Sequence, residues 1–209
     1  RRFQIVFAAC FVNSLQIKMP FLFIILGQKL ELNVTASTAP LHVFVKYTDD
    51  ETGMTYNLET TSGANPARDS WLRQGFPMTD TAVKNGIYLQ KLTRKETVAV
   101  MANMLLQHYY EQKQFGQLIA TADVILAHYP KAVSAIIYKA SAHNQLLKTH
   151  GLWRYRAPDE VPQQKQDTFK YLVSRVNAYH NQAVGMGWRP PSQAENEAYL
   201  KKVKQEVIN

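Results

Sequence analysis

Leu41-His42-Val43-Phe44-Val45-Lys46-Tyr47 and Met54-Thr55-Tyr56-Asn57-Leu58-Glu59 are the two stretches that decide how this chain is read. The first is dense in β-branched and aromatic residues, and the second continues that character. Between them lies Thr48-Asp49-Asp50-Glu51-Thr52-Gly53, polar and closed by glycine, which predicts a hairpin with a longer loop. With Tyr47 paired to Met54, His42 falls opposite Glu59, where cross-strand Cβ atoms are about 4.5–5.5 Å apart. Asn57 shares a face with Glu59 because strand side chains alternate, and it is the substitute partner for His42 if the register slips by two. A histidine held by a carboxylate or an amide is the base-and-orienter half of a nucleophilic site. The same pair also occurs as an ordinary surface contact across a hairpin.

Upstream, Arg1-Arg2 and the apolar run Phe3–Val12 imitate a short signal peptide, and Phe7-Ala8-Ala9-Cys10 resembles a lipoprotein cleavage box. The run before Cys10 is too short for either. A second apolar run covers Met19–Leu26. Together, residues 3–26 have the length of a membrane span, about 20 residues. Gln16, Lys18 and Pro20 near the middle argue against one. A buried helix starting near Pro20, where proline suits the first turn, and ending across Gly27–Leu32 is the expectation. The chain reads as a fragment that begins inside a domain.

Downstream of Thr93 the hydrophobic period changes to that of a helix. Thr93 and Glu96 form a capping-box signal, and Val98, Met101, Ala102, Leu105, Leu106 and Tyr109 follow at helical spacing. A second helix is expected from about Gln114 to His128 and is ended by Pro130. A third is expected over Lys131–Leu147, with Ile136, Ala140 and His143 on its inner face. Gly151–Pro162 is a proline-bearing loop, and Asp167–Val184 is a further helix ended by Gly185 and Gly187. Ser192–Ile208 is a final helix with the polar outer face of a cap.

The 209 residues carry 24 Lys and Arg against 16 Asp and Glu, and 46% of them are hydrophobic. That balance excludes a wholly disordered or collagen-like chain. Residues 1–92 have a net charge of +2 and residues 93–209 a net charge of +6. No Lys/Arg stripe marks one helix face, and only Lys148, His150, Trp153, Arg154, Tyr155 and Arg156 interleave basic and aromatic groups, so nucleic acid is not the expected partner. The single cysteine, Cys10, excludes an internal disulfide and a multi-cysteine metal site. The six histidines show no HExxH spacing, and no Gly-rich phosphate loop is present, so neither a metal nor a cofactor is expected. A cytoplasmic chain is favoured over an exported one.

Three runs of residues carry a resemblance: Pro20-Phe21-Leu22-Phe23 through Gly27-Gln28-Lys29-Leu30, His42–Tyr47, and Tyr56-Asn57-Leu58-Glu59-Thr60-Thr61-Ser62-Gly63. They resemble the carboxyl half of a bacterial transglutaminase-like domain, a group with the papain-like cysteine-protease fold. The family pattern is a Cys at a helix start, a His on the next strand and an acidic residue on the strand after. His42 matches the histidine and Glu59 the acidic residue. The continuation Pro66–Trp71, Pro77–Asp80 and Gly86–Leu89 resembles the branch of this family that carries a carboxyl-terminal repeat region. The family places its nucleophile three residues before a Met-Pro, and in Ser14-Leu15-Gln16-Ile17-Lys18-Met19-Pro20 that position holds Gln16. A carboxamide is no nucleophile. The resemblance therefore implies a general base, His42, and its orienter, Glu59, without the thiol they would serve. Two origins fit: a degenerate enzyme retained as a binding or scaffold protein, or a misread frame over residues 1–18.

The helical residues Ala102, Leu105, Tyr109, Phe115, Leu118, Ala122, Ile125 and Pro130 also fall where a tetratricopeptide repeat places its small, large and terminating residues, except that Leu106 replaces the signature glycine. The expected fold class is α+β. It combines a partial papain- or transglutaminase-like core (helix plus antiparallel hairpin) over residues 1–92 with a tetratricopeptide-like helical region over residues 93–209. The alternative to a degenerate acyl transferase is a non-catalytic interaction module that takes a protein or peptide partner on its helices.

Overall fold

The computed structural model describes residues 14–60, 63–195 and 197. Its fold is α+β. The described helices are α1 (Ser14–Lys29), α2 (Asp69–Gly75), α3 (Asp80–Lys84), α4 (Arg94–Met101), α5 (Asn103–Glu111), α6 (Phe115–His128), α7 (Val133–Thr149) and α8 (Gln166–Gly185). The strands are β1 (Val34–Ala39), β2 (His42–Thr48), β3 (Thr55–Glu59) and β4 (Asn65–Ala67), in one antiparallel sheet of order β1-β2-β3-β4. The chain divides into two compact units, Arg1–Thr97 with Gly187–Asn209, and Val98–Met186. The sequence reading drew its boundary at 92/93 and left the final stretch with the helices.

In the first unit, α1 packs on β1 and β2. Two expectations for this helix are corrected. It starts at Ser14, with Pro20 inside it. Proline has no N–H, so the Gln16 carbonyl loses its bond, a defect of about 3 kcal/mol. Pro20, Phe21, Ile24 and Gly27 are buried, and that packing offsets the break. The helix is also not buried all round: Leu22, Ile25 and Leu26 remain 49%, 49% and 51% exposed.

The expected two-stranded hairpin is the centre of a larger sheet. β1 escaped the reading because Val34-Thr35-Ala36-Ser37-Thr38-Ala39 mixes small and hydroxyl residues without clear alternation. β4 is three residues long and contains Pro66. The outer edge of β1 is occupied by the 87–92 segment: Leu89 N–H donates to the Thr38 carbonyl and Leu92 N–H to that of Ala36, both at 2.9 Å. An edge covered this way no longer offers its free carbonyls to another strand.

The β2–β3 register also departs from expectation. Tyr47 pairs with Tyr56 rather than Met54, and Thr48 with Thr55. The loop keeps its length but sits one residue later in the chain, at 49–54, where Asp49 organises it. Its carboxylate accepts from Glu51 N–H, Thr52 N–H and the Thr52 hydroxyl at 3.0, 2.8 and 2.9 Å, while Asp49 N–H donates to Met54 O. A two-residue shift preserves which face each side chain occupies.

The second unit is helical. α7 packs against α5, α6 and α8. Its Ala135–His143 stretch is buried without interruption, as a helix apolar on most sides must be. Ala122 and Ala140, fully buried, let backbones approach. The single helix expected over 93–109 is two: Leu105 N–H bonds to the Ala102 carbonyl, an i+3 contact that tightens the chain where α5 starts. Three short 3₁₀ turns (152–154, 158–160 and 163–165) fill the 151–165 connection, pinned by buried Leu152 and Val161. Of the expected Ser192–Ile208 helix, Gln193–Glu195 and Glu197 are helical, and residues 196 and 198–208 lie outside the described residues. Cys10 lies outside them too.

Candidate functional site

β1 and β2 are joined by Pro40-Leu41, a two-residue turn in which Leu41 takes φ +59°. The turn delivers His42 as the first residue of β2, paired with Ala39. Glu59 is the last residue of β3. Extending the ladder past Val45↔Leu58 sets Glu59 level with Phe44, so His42 reaches it diagonally, on the same face of the sheet. The His42 Nε2 and Glu59 Oε2 atoms are 2.6 Å apart. Their side chains are 4% and 8% exposed, which makes this a buried pair and not a surface contact.

A carboxylate can only accept, so Nε2–H is the donor and the lone pair of the neutral ring sits on Nδ1. Phe76, just past α2, stacks on the imidazole with centroids 4.3 Å apart and planes 7° from parallel. Phe44 lies 6.3 Å away at 15°. The ring is thus held at its edge by a carboxylate and over its face by an aromatic side chain. Such an arrangement fixes a tautomer and stabilises an imidazolium when a neighbour surrenders its proton.

Asn57 does not partner His42. The register shift places Lys46 opposite it, and Lys46 Nζ donates to Asn57 Oδ1 at 2.6 Å. Asn57 Nδ2 donates to Asp69 Oδ1 at 2.7 Å and to the Ala67 carbonyl at 3.0 Å. Burial lowers the Lys46 pKa, Asp69 raises it and Lys91 lowers it further. Gln16 lies in the first turns of α1, and its side chain is outside what the structure describes. The sequence reading missed Lys46, although the alternation that put Asn57 beside Glu59 also puts Lys46 beside His42. It missed Asp69 and Phe76 as well, for which no local signal exists.

A second polar cluster, around buried Lys139 and His143, sits in the helical unit. Lys139 forms an ion pair with Asp123 and lies 4.4 Å from the Tyr179 ring centroid. His143 Nδ1–H donates to the Lys139 carbonyl at 2.7 Å, and burial lowers its pKa. Among the described residues no group of three or more His, Cys, Asp or Glu could hold a metal ion, and no helix is long and apolar enough to cross a membrane. Comparison of the chain with known protein families, with curated proteins and with solved structures finds no match.

Proposed function

We propose that His42 and Glu59 are the base and the orienting carboxylate of a transglutaminase-like acyl-transfer site, of the papain-like type, in which Gln16 stands at the nucleophile's position. A competent site of this kind attacks an amide carbonyl with a thiolate, releases the amine and holds the acyl group as a thioester. Water or a second amine then takes the acyl group. Nδ1 of His42 is the atom that would accept the thiol proton and return it to the leaving amine. Glu59 would hold the ring and support its positive charge. With glutamine at the nucleophile position the cycle has no first step, so the chain as it stands is inactive.

The observation that carries this reading is the buried 2.6 Å contact between His42 and Glu59 on one face of the sheet. A chance surface pair would have no reason to be desolvated, and desolvating a charge is costly unless it is paired. The test is to supply the missing atom. Gln16→Cys should give a thiol that iodoacetamide alkylates faster than Cys10 of the same protein at neutral pH, and a second change, His42→Ala, should abolish the advantage. An introduced thiol no more reactive than Cys10 contradicts the reading.

A second reading assigns the helical unit a tetratricopeptide-like role, taking a protein or peptide partner. Supporting it are the consecutive packing of α5, α6, α7 and α8 and the exposed apolar side chains Met104, Leu105 and Val124. Paired Leu105→Glu and Val124→Glu changes should leave the helical content unchanged and remove any protein crosslinked to this unit in the full chain. Unaltered crosslinking contradicts this second reading.

A further inference from the structure

We propose that Lys46, Asn57 and Asp69 are positioning residues for His42, acting through α2 and the Phe76 ring. This inference rests on reading His42–Glu59 as a base and its orienter.

These residues lie on a closed circuit of contacts. It leaves β2 at Lys46, whose Nζ donates to Asn57 on β3 at 2.6 Å. Both Asn57 Nδ2 contacts then go to the start of α2 and the strand before it, Asp69 Oδ1 at 2.7 Å and the Ala67 carbonyl at 3.0 Å. α2 runs from Asp69 to Gly75, anchored by fully buried Leu72, and Phe76 N–H closes it on the Leu72 carbonyl at 2.8 Å. Phe76 lies flat on His42, and His42 returns the circuit to β3 at Glu59. The carboxamide of Asn57 has every donor and its acceptor engaged, so it cannot turn without breaking a buried bond.

Lys46 is a poor choice for packing alone. Its side chain is 9% exposed, and its nearest carboxylate, Asp69, is 3.9 Å away and itself 59% exposed. An apolar residue would fill the same space at lower desolvation cost. What the ammonium provides is orientation: it fixes which way the Asn57 amide faces, hence where Asp69 and the first turn of α2 sit, hence where Phe76 lies on the imidazole.

The test reads the histidine ring in the full chain by ¹⁵N NMR of imidazole-labelled protein. The wild type should show the Nε2–H tautomer with a ring proton protected from exchange. Lys46→Met should speed exchange of that proton about tenfold, the equivalent of one lost hydrogen bond to a charged group, and mix the tautomers. Lys46→Arg, which keeps a donor for Asn57, should restore the wild-type signal. Asp69→Ala, at an exposed side chain, should shift exchange in the same direction and decides the matter if Lys46→Met does not fold. Wild-type exchange in both folded variants overturns the positioning role and leaves the pair intact. A wild type with no protected Nε2 proton takes the pair and the positioning role down together.

Discussion

His42 and Glu59 stand two residues out of register across the β2–β3 ladder, yet their side chains meet at 2.6 Å, both buried. The diagonal is what two long side chains on one face can span. It leaves the level position to Phe44, which the sheet buries completely.

Removing either partner of this pair should have unequal effects. His42→Ala strands a carboxylate in a buried site and should cost about 3–5 kcal/mol. Glu59→Gln keeps an acceptor for Nε2–H and should cost about 1–3 kcal/mol. Denaturant unfolding of the two variants checks the order. Equal losses would mean that the pair is only space-filling.

The juxtaposition was legible in the sequence, although the register behind it was not. Alternation alone puts His42, Lys46, Asn57 and Glu59 on one face, and an error of two residues preserves that face. The error came from Asp49, whose carboxylate gathers Glu51 and Thr52 and moves the turn one residue along the chain, which composition does not reveal. The helices after Gln114 follow their apolar period closely, because burial of α7 and its neighbours enforces it. β1 was illegible for the opposite reason: Ala36 and Ser37 are enclosed by tertiary packing that no local pattern records.

Two lysines should tilt the pH dependence of stability in opposite senses. Burial lowers Lys46 below 10.5, so in the alkaline window below that value the unfolded chain holds a proton that the folded chain has shed. Stability from this group therefore rises with pH there, and Lys46→Met should remove the rise. At Lys139 burial also lowers the pKa, but hydrogen bonding and charge attraction to Asp123 and Tyr179 together outweigh it, and the net shift is upward. Its contribution is complete below 10.5 and is lost as pH climbs through the raised value, so Lys139→Met should remove that decline. Unfolding free energies measured from pH 8 upward separate the two. The same slope in all three proteins would refute the assignment.

Gly187 should be intolerant of any side chain. It adopts φ +96°, and a Cβ there would come within 2.4 Å of Ala82 N, while Thr79 Oγ1 donates to its carbonyl at 2.7 Å. Gly187→Ala should cost about 2–4 kcal/mol. Gly53→Ala, at φ +68° with nothing within 4 Å, should cost about 1 kcal/mol. Thermal unfolding of the pair gives the comparison, and similar midpoints would contradict the close approach.

The capping box before α4 is formed: Thr93 N–H donates to Glu96 Oε2 at 2.7 Å and Glu96 N–H to Thr93 Oγ1 at 3.2 Å. Thr93→Ala should lower stability by about 1 kcal/mol, readable as an earlier denaturant midpoint. A neutral result would mean that the helix start is set by packing.

The pH profile of thiol alkylation in Gln16→Cys, with Cys10→Ser to silence the native thiol, tests the account most directly. A thiol served by His42 ionises as part of a thiolate–imidazolium pair, so its reactivity should persist well below the ordinary thiol range of about 8.5. His42→Ala should return the profile to that range. A profile centred near 8.5 with His42 present would show that the imidazole and its carboxylate serve no nucleophile at that position.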